Sequence, residues 1–123
     1  GFFEGIDLIV PVPLAPKRLR QRGYNQSEVV ARGVSEVTGL PVAPRLLSRK
    51  AFLGSQTRLH RWQRMDNVKD LFELKDARAA AGKHILLIDD VVTTGATIQA
   101  CGEALKAVDG IKISVLALGF TKS

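Results

Sequence analysis

Short apolar runs alternate along the chain with longer segments in which apolar residues recur at helical spacing. The first run, Asp7–Val10, precedes two nearby prolines and predicts a buried strand that ends in a constrained loop. Asn25–Thr38 predicts a helix, because its first residue can cap the first turn and valines recur on one face. Gly39 supplies a stop for that helix. A second strand is expected to include Arg45–Ser48.

The second half of the chain repeats this alternation. A turn near Ala81–Gly82 leads into His84–Ile88, a continuous apolar run typical of a central parallel strand that is buried on both faces. Ala96–Val108 has helical spacing and ends at Gly110, and Ile111–Leu118 predicts a closing strand. Strands that alternate with helices predict an α/β fold with a mainly parallel central sheet flanked by helices. The length of 123 residues fits a single domain, residues 1–123.

Residues 49–67 follow neither periodicity. This segment is polar, basic and long, which in a small domain predicts a flexible functional loop or a mobile hairpin. Interleaved basic residues with His60 and Trp62 could instead hold single-stranded nucleic acid through charge and stacking. A solvated hairpin without a ligand is the third interpretation.

The net charge of +6 is concentrated in one part of the chain. Between Pro16 and Arg64 only Glu28 and Glu36 oppose eleven basic residues, which are Lys17, Arg18, Arg20, Arg22, Arg32, Arg45, Arg49, Lys50, Arg58, Arg61 and Arg64. Such a field favours a phosphorylated small molecule or a nucleic acid, although a solvated basic face without a ligand stays open.

Several classes of protein are disfavoured by composition. No apolar run approaches the roughly 18 to 20 residues of a membrane-spanning helix, so no membrane insertion is expected. The first residues lack the features of a signal peptide. The single cysteine, Cys101, excludes an internal disulfide or a cysteine-cluster zinc site and is expected to be a small core residue. A cytoplasmic protein fits best.

Asp89 and Asp90 follow the buried run and precede a threonine- and glycine-rich loop that leads into a helix. Ligands of open α/β sheets bind at the carboxyl ends of strands, and amides before a helix N-terminus form an anion site. Gly95 lets the backbone approach a phosphate, while carboxylates suit sugar hydroxyls and a nearby Mg²⁺. The pattern therefore indicates a sugar phosphate with free ribose hydroxyls and a metal-bound pyrophosphate. The alternative is an ordinary strand–loop–helix connection without a ligand, in which the two aspartates are solvated.

Leu87–Thr97 resembles the segment of type I phosphoribosyltransferases that binds 5-phosphoribosyl-1-pyrophosphate (PRPP). Val10–Leu14, Arg22–Gln26 and Gln56–Leu59 resemble the ComF competence-protein family, including its GntX-like members. The resemblance covers about Asp7 to Leu118 and implies a type I phosphoribosyltransferase-like fold. That family commonly carries a cysteine-rich, zinc-binding segment before this domain, and nothing like it is present in this sequence.

The resemblance also implies a site for PRPP or another ribose 5-phosphate ligand. Asp89 and Asp90 would accept the ribose 2- and 3-hydroxyls, and their contact with Mg²⁺ would be indirect. The 5-phosphate would lie on Thr93, Thr94, Gly95, Ala96 and Thr97. The pyrophosphate loop, with a strained or cis peptide, would comprise Pro13, Leu14, Ala15, Lys17 and Arg18. The flexible loop that closes over PRPP would contribute Gln56, Arg58, Arg61 and Arg64.

Two functions follow as expectations. The first is a Mg²⁺-dependent phosphoribosyltransferase whose acceptor the sequence does not name. The second is a non-catalytic ComF-like competence factor that binds single-stranded DNA during DNA uptake. Asn25 either contributes to the site or serves only as a helix cap. Whether two copies of the chain pair as a homodimer is left open.

Overall fold

The computed structural model describes residues 3–14, 16–49, 72–92 and 95–120, and it describes the side chains of all of these except 16–18, 91–92 and 120. The elements in chain order are β1 (Leu8–Pro11), α1 (Pro16–Arg22), α2 (Gln26–Thr38), β2 (Leu47–Arg49), β3 (Phe72–Leu74), α3 (Ala77–Ala80), β4 (His84–Val92), α4 (Ala96–Leu105) and β5 (Lys112–Phe120).

The main sheet is parallel and has the order β1-β4-β5. An isolated parallel bridge from Ile9 to Val42 extends it beyond β1. The backbone N–H of Ile9 donates to the Pro41 carbonyl at 2.9 Å, and the N–H of Ala43 donates to the Ile9 carbonyl at 2.8 Å. The predicted parallel α/β architecture is confirmed, with β4 as the central strand.

The strand predicted at Arg45–Ser48 is found at Leu47–Arg49 instead, and it belongs to a two-stranded sheet outside the main parallel sheet. β2 begins at Leu47 and pairs antiparallel with β3, which the sequence pattern did not predict. Both strands have only three residues, so neither shows a usable alternation. Leu47 and Phe72 are nonetheless buried in the core, and this burial fixes the small sheet against the rest of the domain.

The core has one layer on each face of β4. Ile85 and Leu87 pack on one face with residues of β2, β3 and α4, whereas Leu86 and Ile88 pack on the other face with residues of β1 and α2. All four side chains are fully buried. Because side chains alternate along a strand, the two aspartates that follow continue toward opposite faces.

Turns and caps largely follow the sequence prediction. Gly39 ends α2 in the left-handed region at φ 78°, as its place after the valine stripe predicts. α4 ends at Leu105, three residues before the predicted end. The predicted turn at Ala81–Gly82 is present. It packs against the turn at Gly110, where an added Cβ would lie 3.2 Å from the Gly82 Cα.

None of the described helices is long and apolar enough to cross a membrane.

Candidate functional site

The carboxyl ends of β1 and β4 meet the starts of α2 and α4 around a cleft of about 310 Å³, here called the aspartate cleft. This edge is where open α/β sheets bind their ligands. The cleft is lined by Val12, Pro13, Leu14, Arg22, Asn25, Ser27, Arg49, Asp89, Asp90 and Thr97. Residues that follow β1 and residues that follow Ile88, which are remote in sequence, are thus brought together.

Asp89 and Asp90 lie within β4 rather than after it, because the strand continues to Val92. The expected end of the strand at Ile88 is therefore wrong by four residues. The backbone N–H of Asp90 donates to Asp89 Oδ1 at 2.9 Å. Asp90 Oδ2 accepts a hydrogen bond from Arg22 Nη1 at 3.4 Å, which joins the end of α1 to β4. Both carboxylates line the same cleft, although the strand directs them to opposite faces.

Asp89 is the buried carboxyl group of the cleft, with 8% of its surface exposed. Burial raises the pKa of Asp89 from 3.8 to about 6, and the hydrogen bond and the charge of Asp90 act in the same direction. The backbone hydrogen bond from Asp90 and the positive charge of Arg49 oppose the rise in pKa. A carboxyl group whose pKa is raised by burial inside a cleft is typical of a functional site.

Asp89→Asn is expected to stabilise the fold above pH 6. The folded-state pKa of Asp89 lies above 3.8, so ionising this group is less favourable in the folded chain than in the unfolded one. Its contribution to the free energy of unfolding is therefore full below about pH 4 and is lost as the pH rises through about 6. Asparagine can keep the hydrogen bond from the Asp90 N–H without the charge.

Thermal unfolding across this pH range measures the effect. The variant should unfold at a higher temperature than the wild type at neutral pH, and at about the same temperature near pH 4. Asp109→Asn, at an exposed carboxylate far from the cleft, serves as the control. A lower unfolding temperature for Asp89→Asn at every pH would show that the carboxylate is stabilising rather than costly.

The predicted phosphate segment is described from Gly95 onward. Gly95 precedes the first residue of α4 at φ 81°, in the left-handed region, and no side chain caps that helix. Thr97 is half-buried and lines the aspartate cleft, whereas Ala96 is exposed. Thr93 and Thr94 lie outside the described residues. The first amides of an α-helix have no partner within the helix, which suits the start of α4 to an anion.

The predicted pyrophosphate loop is described only in part. Pro13 and Leu14 are half-buried and line the cleft, as expected. Ala15 lies outside the described residues, as do the side chains of Lys17 and Arg18. In the described part of the chain no peptide bond is cis, and every residue with positive φ is a glycine, so the strained or cis peptide expected after β1 is not found there.

Arg49 is a site residue that the sequence did not single out. Its Nε donates to the Pro13 carbonyl at 3.1 Å, and its guanidinium lies 4.9 Å from the centroid of the Phe72 ring. It lines the aspartate cleft and lowers the pKa of Asp89 through its charge. In the sequence it is one of eleven basic residues, and its partners lie 36 positions before it and 23 after it. No local signal could have identified it.

Asn25 both caps α2 and lines the cleft. Its Oδ1 accepts from the Ser27 N–H at 3.0 Å, and its Nδ2 donates to the Val12 carbonyl at 3.1 Å. The side chain thus ties the start of the helix to the loop after β1. The two interpretations left open by the sequence are compatible, since the cap itself shapes the wall of the cleft.

Candidate metal ligands are few in the described part of the chain, where no three histidine, cysteine, aspartate or glutamate side chains gather as a metal cluster. Mg²⁺ often keeps several waters and takes only one or two carboxylates together with substrate phosphates. Asp89 and Asp90 suit indirect contact with such an ion through its waters, as the sequence predicts, and this contact stays a prediction. The flexible-loop residues Gln56, Arg58, Arg61 and Arg64 lie outside the described residues, and their role stays a prediction.

Residues 8–121 match the family model described as "Phosphoribosyl transferase domain". The match covers almost the whole chain and agrees with the position of the aspartate cleft at the carboxyl edge of a parallel sheet. This chain belongs to the phosphoribosyl transferase domain family.

Its curated relatives identify it as a ComF-like member of that family. It is 29% identical over 113 residues to Competence protein F of Haemophilus influenzae, covering 91% of this chain and 49% of the relative. Competence protein ComFC of Bacillus subtilis is 32% identical over 98 residues, which are 80% of this chain and 38% of the relative. DNA utilization protein YhgH of Escherichia coli K12 is 32% identical over 99 residues, which are 80% of this chain and 43% of the relative. The chain therefore spans less than half the length of these relatives.

Solved structures show the same fold. An adenine phosphoribosyltransferase superposes with a TM-score of 0.60 at 17% identity, covering 94% of this chain and 58% of that one. The Saccharomyces cerevisiae adenine phosphoribosyltransferase in complex with an imino-altritol bisphosphate and adenine gives 0.55 at 16% identity, covering 94% of this chain and 56% of that one. The type I phosphoribosyltransferase-like fold predicted from the sequence is confirmed.

Proposed function

We propose that this domain binds PRPP together with Mg²⁺ in the aspartate cleft and acts as a phosphoribosyltransferase. One observation carries the proposal: Asp89 and Asp90, the start of α4 and the Pro13–Leu14 loop surround a single cleft. The carboxylates suit the ribose hydroxyls, and the start of α4 suits the 5-phosphate. Arg49, whose Nε donates to the Pro13 carbonyl, places positive charge beside that loop for the pyrophosphate. Membership of the phosphoribosyl transferase domain family supports the same ligand.

In the proposed complex the two carboxylates accept hydrogen bonds from the ribose hydroxyls. Accepting both of them requires Asp89 in its ionised form, so binding is favoured above about pH 6. The ion pair between Asp90 and Arg22 is partly exposed, with 29% and 45% of the side-chain surfaces accessible, and a pair of this kind has a small energy. A ligand can therefore replace it at low cost, with a hydroxyl on Asp90 and a phosphate oxygen on Arg22.

The reaction breaks the bond between ribose C1 and the pyrophosphate oxygen, and a nitrogen nucleophile forms the new bond to C1. The electron pair of the broken bond leaves on pyrophosphate. Bound Mg²⁺ would supply charge that stabilises the leaving pyrophosphate. The protein holds the ribose through its carboxylates, whose negative charge favours the positive charge that develops at C1. Arg22 and Arg49 add positive charge at the wall where the leaving group would lie.

Arg49→Gln is expected to weaken PRPP binding about 10- to 100-fold, the loss typical of one hydrogen bond to a charged group. Binding of ribose 5-phosphate should change much less, because that ligand lacks the pyrophosphate and is held mainly at α4. Arg49→Lys keeps the charge but loses the planar fork of the guanidinium. Its affinity for PRPP should therefore lie between that of the wild type and that of Arg49→Gln. Arg45→Gln, at an exposed arginine outside the cleft, is the matched control. Equal losses for PRPP and ribose 5-phosphate would argue for a structural role of Arg49.

Calorimetric titration with PRPP tests the proposed function. PRPP should bind with one site per chain in the presence of Mg²⁺, and chelation of the metal should weaken that binding. Adding single nitrogen heterocycles and following pyrophosphate release by ³¹P NMR then identifies an acceptor. Absence of PRPP binding with Mg²⁺ present would refute the proposal.

The second candidate function is a non-catalytic competence factor that binds single-stranded DNA. It is favoured by the strongly basic charge of the chain and by relatives named for competence and DNA utilization. The two candidates differ in outcome: an enzyme releases pyrophosphate from PRPP with some acceptor, whereas a binding module holds PRPP and DNA without turnover.

A further inference from the structure

The outward face of α2 carries apolar residues that the described part of the chain leaves exposed. Val37 is 86% exposed and Val29 is 53% exposed. Gly33 lies four positions from each of them, so the three residues form one row along the helix. Ala31, on the opposite side of α2, is fully buried with residues of β1 and β4. The helix is therefore apolar on two faces, and the described fold packs only one of them.

Gly33 is an unfavourable residue for its place in the middle of a helix. Glycine lowers helix stability more than any residue except proline. A Cβ at Gly33 would meet no described atom within 4 Å, so the fold has room for a side chain there. The backbone does not require glycine either, since φ is not positive. A glycine in an exposed apolar row is accounted for if a second helix approaches closely at this point.

The row continues into a groove of about 520 Å³ between α1 and α2, here called the tyrosine groove. Leu19, Tyr24 and Val29 line it with exposed apolar surface. The two charged side chains that line it, Glu28 and Arg32, pair with each other at 3.3 Å. The groove is therefore nearly neutral and suits an apolar side chain of a protein partner better than a charged ligand.

We propose that two copies of this chain pair through α2, with the two helices antiparallel about a twofold axis near Gly33. The twofold operation places Val37 of each copy opposite Val29 of the other, because both residues lie four positions from the axis. Val37 of one copy then enters the tyrosine groove of the other, and the two Gly33 residues let the backbones approach. This pairing is independent of both candidate functions.

The charges beside the apolar row are complementary under the same operation. Arg32 and Glu36 are exposed on one flank of the row, on either side of Gly33 along the helix. In the antiparallel pair this flank meets the same flank of the other copy in the reverse direction, so Arg32 of one copy lies beside Glu36 of the other. A parallel pair would place Arg32 against Arg32. The charges therefore favour the antiparallel arrangement.

Both side chains are available for this contact. Among the described residues Glu36 forms no ion pair. The pair of Arg32 with Glu28 is largely exposed, with 59% and 40% of the side-chain surfaces accessible, and a pair of this kind has a small energy. Arg32 can therefore contact Glu36 of the other copy at little cost.

The proposed interface is small. α2 has 13 residues and is therefore about 20 Å long. A contact of one such helix and the adjoining groove lies at the low end of the size range of specific interfaces. Association is therefore expected to be reversible, with a dissociation constant of roughly 10 to 100 μM.

Sedimentation velocity over a series of protein concentrations tests the pairing. The wild type should change from monomer to dimer as the concentration rises. Val37→Lys should stay monomeric, because it places a charge in an apolar groove that Arg32 also lines. Val37 is exposed within one chain, so the variant should fold as the wild type does. Leu118→Lys is the matched control, since Leu118 is an apolar residue of β5 with 59% exposure, and it should dimerise normally.

Exchange of charge tests the orientation of the two helices. Arg32→Glu and Glu36→Arg should each weaken self-association about 3- to 30-fold, because each variant alone places like charges together at two points of the interface. An equimolar mixture of the two variants should form a heterodimer, since every contact between them then joins an arginine to a glutamate.

Three results would overturn the proposal. A wild type that stays monomeric at the highest concentration would leave the face of α2 to a different partner. Self-association that Val37→Lys leaves intact, or that Leu118→Lys abolishes, would place the interface elsewhere on the domain. Charge variants that associate no better when mixed than alone would exclude the antiparallel arrangement.

Discussion

The double substitution Asp89→Asn/Asp90→Asn is expected to abolish detectable PRPP binding while leaving the fold intact. Each change removes charge-assisted hydrogen bonds to the ribose that contribute about 1.5 to 3 kcal/mol. If the two contributions add, affinity falls by roughly two to four orders of magnitude. Asparagine has nearly the volume of aspartate, so the packing of β4 should persist. Calorimetric titration of both proteins with PRPP and Mg²⁺ measures the loss.

The single variants show how the loss is divided between the two carboxylates. Asp89→Asn should also remove a pH dependence near 6 from ligand binding, because Asp89 has a pKa of about 6. Asp90→Asn breaks the pair with Arg22, which is partly exposed and contributes little to stability. Circular dichroism and thermal unfolding establish that each variant is folded. If the double variant binds PRPP as tightly as the wild type, the ribose assignment is wrong.

Gly95→Val is expected to abolish binding of ribose 5-phosphate. Gly95 has φ 81°, and a left-handed conformation costs a residue with a Cβ roughly 1 to 2 kcal/mol, and a β-branched one more. A Cβ at this position would meet no described atom within 4 Å, so the effect arises from the backbone rather than from a clash. The chain would move to a negative φ and turn the amides at the start of α4 away from the anion.

A matched substitution separates this effect from a general loss of stability. Gly33 lies on the exposed side of α2 without a positive φ, and a Cβ there also meets no described atom within 4 Å. Gly33→Val should therefore keep the affinity for ribose 5-phosphate. Normal affinity in Gly95→Val would contradict the phosphate assignment.

The parts of the fold that sequence predicts best are those with strong local patterns. His84–Ile88 is apolar throughout because β4 is covered on both faces, and it forms the central strand as expected. Asn25 and Gly39 mark the ends of α2 because each satisfies a backbone requirement by its own chemistry. The pair of aspartates predicts the position of the cleft because carboxylates that follow a buried apolar run near the carboxyl end of a strand lie close to the edge of the sheet.

What could not be predicted depends on contacts between distant segments. Val42 pairs with β1 through a single bridge, which leaves no alternation to detect. Leu47–Arg49 pairs with a strand 23 residues further along, so its sheet could not be assigned from its own residues. Arg22 and Asp90 form a hydrogen bond across 68 positions of the sequence. Local spacing carries no information about any of these.

A crystal of the wild type grown with Mg²⁺ and PRPP tests the central claim most directly. We expect the 5-phosphate on the amides from Gly95 to Thr97, the ribose hydroxyls within hydrogen-bond distance of Asp89 and Asp90, and the pyrophosphate between Pro13 and Arg49. PRPP bound on another face of the domain, or an aspartate cleft that stays empty while calorimetry shows saturation, would contradict the account.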